Sequence, residues 1–370
     1  MLPESYQGLQ EDELHRRISV AKSKLGRKLV ILGHHYQREE VIKFADFLGD
    51  SYGLSKIASE QKEADFIVFC GVHFMAEAAK ILARPNQRVF HPDLTAGCPM
   101  ADMAELDDVE AAWIELAKIT DIKKVIPIAY MNTTAELKAF CGANGGLICT
   151  SSNAQSAFDW AFARGEKIFF FPDEHLGRNT ARKKGIEREK ISIWNNVACH
   201  CEPEKGEAIS RTQLNSEDCF APLAMTKILL WPGFCHVHTY FTAMHVKEAR
   251  KKYPDCKIIV HPECREDVVL ASDENASTEG ICKFVAAAPQ GATIVVGTEI
   301  NLVSRLVHEN PDKNVVPLAR SLCPNMFKIS LQDICWMVES LAKGEYVNEV
   351  IVPNDVSKSA RIALDRMLTV

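Results

Sequence analysis

The sequence predicts an α/β protein in which one βαβ unit is used three times. Short apolar runs alternate with amphipathic stretches, the pattern of parallel strands covered by helices. Three of these runs end in comparable polar clusters, and three single cysteines set among turn residues close the successive units. The 370 residues are 47% hydrophobic and 25% charged, enough for a large core and more than one domain.

The first unit opens on Lys28–Leu32 (KLVIL), which runs into Gly33-His34-His35-Tyr36. A second apolar run, Phe66–Phe69, leads to Cys70-Gly71-Val72-His73, and the unit closes on TAGCPM at Cys98. The second unit opens on Val125–Ala129 (VIPIA) and Tyr130-Met131-Asn132-Thr133. Its second run is read as Leu147–Cys149, leading to Thr150-Ser151-Ser152-Asn153, and it closes on WPGFCHVH at Cys235. The third opens on Lys257–Val260 and His261-Pro262-Glu263-Cys264, continues with Thr293–Val296 and Gly297-Thr298-Glu299, and closes on SLCPNM at Cys323. Setting aside an insertion at about 184–227 restores a nearly common spacing between the three cysteines. Ala181–Lys190 (ARKKGIEREK) reads as a solvated helical face.

Such a repeat has a use. Ligands of open α/β layers bind beyond the carboxyl ends of the strands. Three units around a pseudo-threefold axis would point their strand ends, and Cys98, Cys235 and Cys323, at one cavity. Thiolates are soft ligands for iron–sulfur clusters and zinc. The single cysteines lack the paired spacing of structural zinc, yet a cluster, a zinc site and plain burial all stay open on spacing alone.

The other cysteines need no function. The chain has 13, an odd number in a sequence with no apolar leader, so the expectation is a reducing, cytoplasmic setting with free thiols. Cys70, Cys141, Cys149, Cys256, Cys282 and Cys335 sit in apolar contexts and read as core. Cys199, Cys201 and Cys219, with His200, lie in the insertion and lack standard zinc spacing. A net charge of −6 argues against general nucleic-acid binding, and no run is long enough to span a membrane.

Around the strand ends, His34, Tyr36, His238, His261 and Glu263 are candidates for proton transfer. Ser51, Asn132, Ser151, Ser277 and Thr278 can donate hydrogen bonds to carboxylate or phosphate where helices begin. His15, His200, His245 and His308 read as ordinary core or surface histidines.

The segments GHHYQREEVIKFADFLGDS, FCGVHFMAE, DLTAGCPMAD, YMNTTAELKA, CTSSNA, FFPDEHLGRNTA, WPGFCHVH, HPEC and GTEINLV together resemble the quinolinate synthases, in number, order and spacing. The resemblance implies three αβα three-layer domains with pseudo-threefold symmetry around a central [4Fe-4S] cluster. On it, residues 1–104 with 324–370 form the first domain, 105–237 the second, and 238–323 the third. It implies condensation of iminoaspartate with dihydroxyacetone phosphate to quinolinate, with release of phosphate and water, in NAD biosynthesis. Cys98, Cys235 and Cys323 are then the cluster ligands. His34, Tyr36, Tyr130, His238, His261 and Glu263 are catalytic, with Glu263 the general base supported by His261. Met75 and Tyr130 join the substrate-binding set, and transient contact with L-aspartate oxidase is implied. An iron–sulfur hydro-lyase and a diphthamide-biosynthesis-like enzyme are the alternatives.

Overall fold

A computed structural model describes residues 2–194 and 225–370. Among the described residues thirteen strands form three sheets, and every strand pair there is parallel. The first sheet contains β1 (Leu29–His34), β2 (Phe47–Gly49), β3 (Phe66–Cys70) and β4 (Arg88–Phe90), in the order β2-β1-β3-β4. The second contains β5 (Val125–Tyr130), β6 (Leu147–Cys149), β7 (Lys167–Phe171), β8 (Ile191–Ile193) and β9 (Ile228–Leu230), in the order β6-β5-β7-β9-β8. The third contains β10 (Lys257–Val260), β11 (Glu274–Asn275), β12 (Thr293–Gly297) and β13 (Asn314–Pro317), in the order β11-β10-β12-β13.

The three sheets thus share one topology. The central strands are Val, Ile and Phe runs buried on both faces, as parallel sheets between helices require. This order revises one pairing drawn from the sequence. The counterpart of β3 and β12 is β7, whereas Leu147–Cys149 is the short outer strand matching β2 and β11. β2 and β11 have only three and two residues, too short to show as apolar runs. The stretch 184–194, which spacing assigns to the insertion, supplies the additional edge strand β8 on β9. Cys199, His200, Cys201 and Cys219 lie outside the described residues.

The chain's last helices part company. Helix Leu331–Lys343 packs on helix Glu11–Leu25 of the first unit, while Asn354–Leu368 lies against Ala135–Ala143 of the second. The resemblance puts the whole of 324–370 with the first unit, whose helix His73–Leu82 is also touched by Asn354–Leu368. The contact with Ala135–Ala143 is close because position 142 is glycine: a Cβ there would lie 1.8 Å from the Ser359 carbonyl oxygen. Cys70, Cys141, Cys149, Cys256 and Cys335 are buried and Cys282 is half-buried. Among the described residues, no helix is long and apolar enough to cross a membrane.

Candidate active site

The carboxyl ends of all three sheets open on one cavity of about 690 Å³. Each first strand delivers a residue at its end and another two positions on: His34 and Tyr36 from β1, Tyr130 and Asn132 from β5, His261 and Glu263 from β10. Each outer strand leads to hydroxyls: Ser51 after β2, Ser151 after β6, Thr278 after β11. Ser51 and Thr278 begin the helices Ser51–Glu60 and Thr278–Ala287, whose N-terminal N–H groups and dipoles favour anions. Among the described residues, no Lys or Arg lines the cavity, so the donors it offers an anion are neutral side chains and helix ends, beside the carboxyls of Asp50 and Glu263.

Each last strand of the repeat leads into a cysteine loop, and Cys98, Cys235 and Cys323 all line the same cavity with Met75 and His238. Burial pushes the Cys98 thiol up to about 12 and raises those of Cys235 and Cys323. The Cys98 thiol meets the backbone N–H groups of Ala101 and Met100 and stands 4.0 Å from the Asn132 side-chain nitrogen. Half-buried thiols from three units, each met by a backbone N–H, form a soft donor set that a thiophilic metal group would deprotonate and bind. A second combination, Cys235 with His238 and Glu263, has ligand atoms within 4.8 Å of one another. There His238 Nδ1 already stands 2.7 Å from Glu263 Oε2, so the nitrogen and carboxylate satisfy each other and the thiol is the member left over.

Glu263 is 3% exposed and organises the site. It accepts from His238 Nδ1 and, through its other oxygen, from the Tyr130 hydroxyl. Burial alone would raise its carboxyl. The adjoining His261 and His238 rings and the hydrogen bonds from His238 and Tyr130 outweigh that, holding it below the usual carboxylate range. Burial and the Glu263 charge push Tyr130 and Tyr36 well above the ordinary phenol. His261, which the resemblance makes the support of Glu263, stands beside it with Nδ1 3.9 Å from Oε1. Its ring stacks on His238 at 4.3 Å, its Nδ1 accepts the Glu263 backbone N–H at 3.3 Å, and its Nε2 meets Ser151 Oγ at 3.2 Å. His34 repeats this geometry, Nδ1 accepting the Tyr36 N–H at 3.2 Å. Burial drops His261 to about 3 and His34 well below normal. Both are neutral rings with Nδ1 engaged, so each presents Nε2–H as a donor.

One predicted residue falls outside the cavity lining. Ser277 is the N-cap of helix Thr278–Ala287, its hydroxyl accepting from the Gly280 N–H at 3.2 Å, while its neighbour Thr278 faces the cavity.

Other groups carry no signal that singles them out in the sequence. Thr298 Oγ1 lies 2.7 Å from the Tyr36 hydroxyl and 3.2 Å from His238 Nε2. Glu299, raised to about 8 by burial, accepts the backbone N–H of Cys323 and of Asn301. The units are also tied together beside the site. Ser152 donates to Asp50, His35 bridges Arg305 (2.7 Å) and Glu279 (3.2 Å), and Asn179 donates to the Pro262 and Cys264 carbonyls. The one hint is position: Asp50, Ser152 and Thr298 each follow a strand directly or nearly so.

Comparison with known proteins bears on this arrangement. The family described as Quinolinate synthetase A protein matches residues 16–369. A quinolinate synthase of Corynebacterium glutamicum is 48% identical over 372 residues, covering 100% of this chain and 91% of its own. That of Anoxybacillus flavithermus is 44% identical, covering 99% of this chain and 96% of its own. That of Bacillus subtilis is 43% identical, with 100% and 96% covered.

Proposed function

Because the chain belongs to the quinolinate synthetase A family and is therefore a quinolinate-forming enzyme, we propose that its cavity joins iminoaspartate to dihydroxyacetone phosphate around a [4Fe-4S] cluster. The atoms balance as one quinolinate, one phosphate and two waters. The observation that carries the reading is the convergence of Cys98, Cys235 and Cys323, one from each unit, on the cavity that also holds the acid–base groups. The hydro-lyase and diphthamide readings lose to a family match spanning residues 16–369.

The three cysteines would hold the cluster, which supplies a Lewis-acidic iron without a protein ligand beside the cavity. The remaining roles belong to the chain's own side chains. Ser51 and Thr278 at helix starts, with Ser151 and Asn132, hold carboxylate and phosphate oxygens. The neutral Nε2–H donors of His34 and His261 orient carbonyl or imine groups. Tyr36 and Tyr130 flank the reacting carbons, and Glu263 with His238 is the base that takes protons from them. Met75 supplies an apolar wall. The absence of a lysine or arginine clamp among the described lining residues favours release of a doubly charged product. Free thiols at every described cysteine suit the reducing cytoplasm.

The test is anaerobic iron and sulfide analysis of purified protein, paired with a quinolinate assay supplied with generated iminoaspartate and dihydroxyacetone phosphate. About four irons per chain, quinolinate formation, and loss of both in Cys98→Ala, Cys235→Ala and Cys323→Ala are expected. A protein that holds no cluster under strict anaerobiosis would overturn the proposal.

A further inference from the structure

The strands β3, β7 and β12 continue alike. Each is followed by one residue, a helix N-cap and a helix: Val72 before His73–Leu82, Asp173 before Glu174–Lys183, Glu299 before Ile300–Glu309. The first amide of each helix reaches the loop that carries the unit's cysteine. His73 donates to the Ala96 carbonyl, Glu174 to that of Gly233 and Ile300 to that of Ser321, all at 2.8 Å. These carbonyls stand two residues before Cys98, Cys235 and Cys323. One backbone bond thus joins helix start to cysteine loop in every unit.

The N-cap side chains differ. Val72 makes no cap bond and lines the cavity. Asp173 and Glu299 are fully buried, at 0% exposure, and do not line it. Glu299 accepts the Asn301 N–H on Oε2 at 2.7 Å and the Cys323 N–H on Oε1 at 3.3 Å. Asp173 accepts the Leu176 N–H at 2.6 Å and meets the Cys235 N–H. Helix capping alone does not account for these residues. Burying a carboxyl is costly, serine or threonine caps as well, and glutamate is not among the favoured N-caps. What glutamate adds is length: one oxygen holds the helix while the other holds the cysteine.

We infer that Asp173 and Glu299 are positioning residues, which fix the backbones of Cys235 and Cys323 so that both thiols are aimed for metal binding in advance. This rests on the proposed cluster site. An amide held in place sets the Cα–Cβ direction of its residue and leaves the thiol only its χ1 rotamers. Ligands ordered beforehand bind at a smaller entropic cost, and the groups that orient them share in the affinity. Cys98 has no such carboxyl. Its loop is tied by Lys328, which donates to the Thr95 carbonyl at 2.6 Å. Two of the three ligand loops therefore depend on a buried acid, and the first does not.

Glu299→Ala and Asp173→Ala remove the tie together with the cap, while Glu299→Gln and Asp173→Asn keep an acceptor at the same reach. Thr242→Ala deletes a cap that bonds only within its own helix start. In anaerobically reconstituted protein, excess iron chelator should strip the cluster about 10–100-fold faster from both alanine variants than from native protein. Glu299→Gln and Asp173→Asn should stay within a few-fold of native, and Thr242→Ala should match it. Native rates in the alanine variants would overturn the assignment. Equal acceleration in Thr242→Ala would trace the effect to cap loss, and loss from Glu299→Gln as fast as from Glu299→Ala would remove the hydrogen bond as its cause; both overturn it too. Hydrogen exchange in metal-free native protein labelled with ¹⁵N-cysteine reads the tie without any variant. The Cys235 and Cys323 amides should be protected, and fast exchange of either would overturn the assignment. Native protein that holds no cluster would instead refute the proposed function, while the exchange would still decide the tie.

Discussion

Replacing Glu263 by glutamine changes one carboxylate oxygen into a donor and removes one buried charge. Glu263 accepts from His238 Nδ1 at 2.7 Å and from the Tyr130 hydroxyl on its other oxygen. Glutamine can keep one of these bonds; the other becomes a donor facing a donor. Each charge-assisted bond is worth ~1.5–3 kcal/mol, and one is lost outright while the other becomes neutral. The cost to folding is smaller than that sum, because the variant no longer buries a charge and His238 can change tautomer. A net loss of about 1–2 kcal/mol is expected on these grounds. Catalysis suffers more. The variant has no carboxylate to take a proton, and loss of a positioned base typically lowers the rate about 10²–10⁴-fold, or ~3–5 kcal/mol in the barrier. The assay is single-preparation: quinolinate formation, iron and sulfide content, and thermal unfolding. Full turnover in Glu263→Gln with the metal content intact would refute the assignment of Glu263 as the base.

Acid should destabilise the protein through its buried histidines. Burial holds His91 at about 4 and His261 at about 3, and lowers His34 well below normal. The unfolded chain takes up these protons near pH 6.5, so stability is present above that value and is lost as pH falls from about 6.5 toward 3–4. Each group adds up to ~1.4 kcal/mol per pH unit. In His91→Gln, calorimetry should show the slope reduced by one proton; an unchanged slope would refute the assignment. Ser277 and Thr278 should separate cleanly. Ser277→Ala loses a helix cap, about 1 kcal/mol of stability, with KM unchanged, whereas Thr278→Ala should affect KM or kcat with little change in Tm. Kinetics and melting of both variants check this, and a larger KM effect in Ser277→Ala would contradict the cap.

Much of the site is legible in the sequence because strand ends are marked by residues with few other reasons to be there. Cys98, Cys235 and Cys323 each sit beside glycine, proline or histidine at a turn, and the pairs His34/Tyr36 and His261/Glu263 share one spacing. The outer strands are not legible. Phe47–Gly49 and Glu274–Asn275 are too short for a periodic pattern, so spacing alone matches Leu147–Cys149 to the wrong strand of the repeat. Partner choice is equally hidden. His261 is nearer to Glu263 in sequence, but its Nδ1 turns to the Glu263 backbone N–H, and His238 from the cysteine loop takes the carboxylate. Thr298 looks like any strand-end threonine until Tyr36 is brought from the first unit to meet it.

The helix Asn354–Leu368, held at Gly142 against Ala135–Ala143, has a consequence for the order in which the protein acquires its shape. Synthesis runs from the N-terminus, so the middle sheet is made long before the segment that covers its outer helix. Until residues 354–368 leave the ribosome, the face of helix Ala135–Ala143 at Gly142 lacks its cover and waits for partners. Nascent chains arrested before residue 354 should therefore be cut readily by protease in the second unit, and full-length chains should resist. Equal resistance in both would show that the middle unit matures without its clasp.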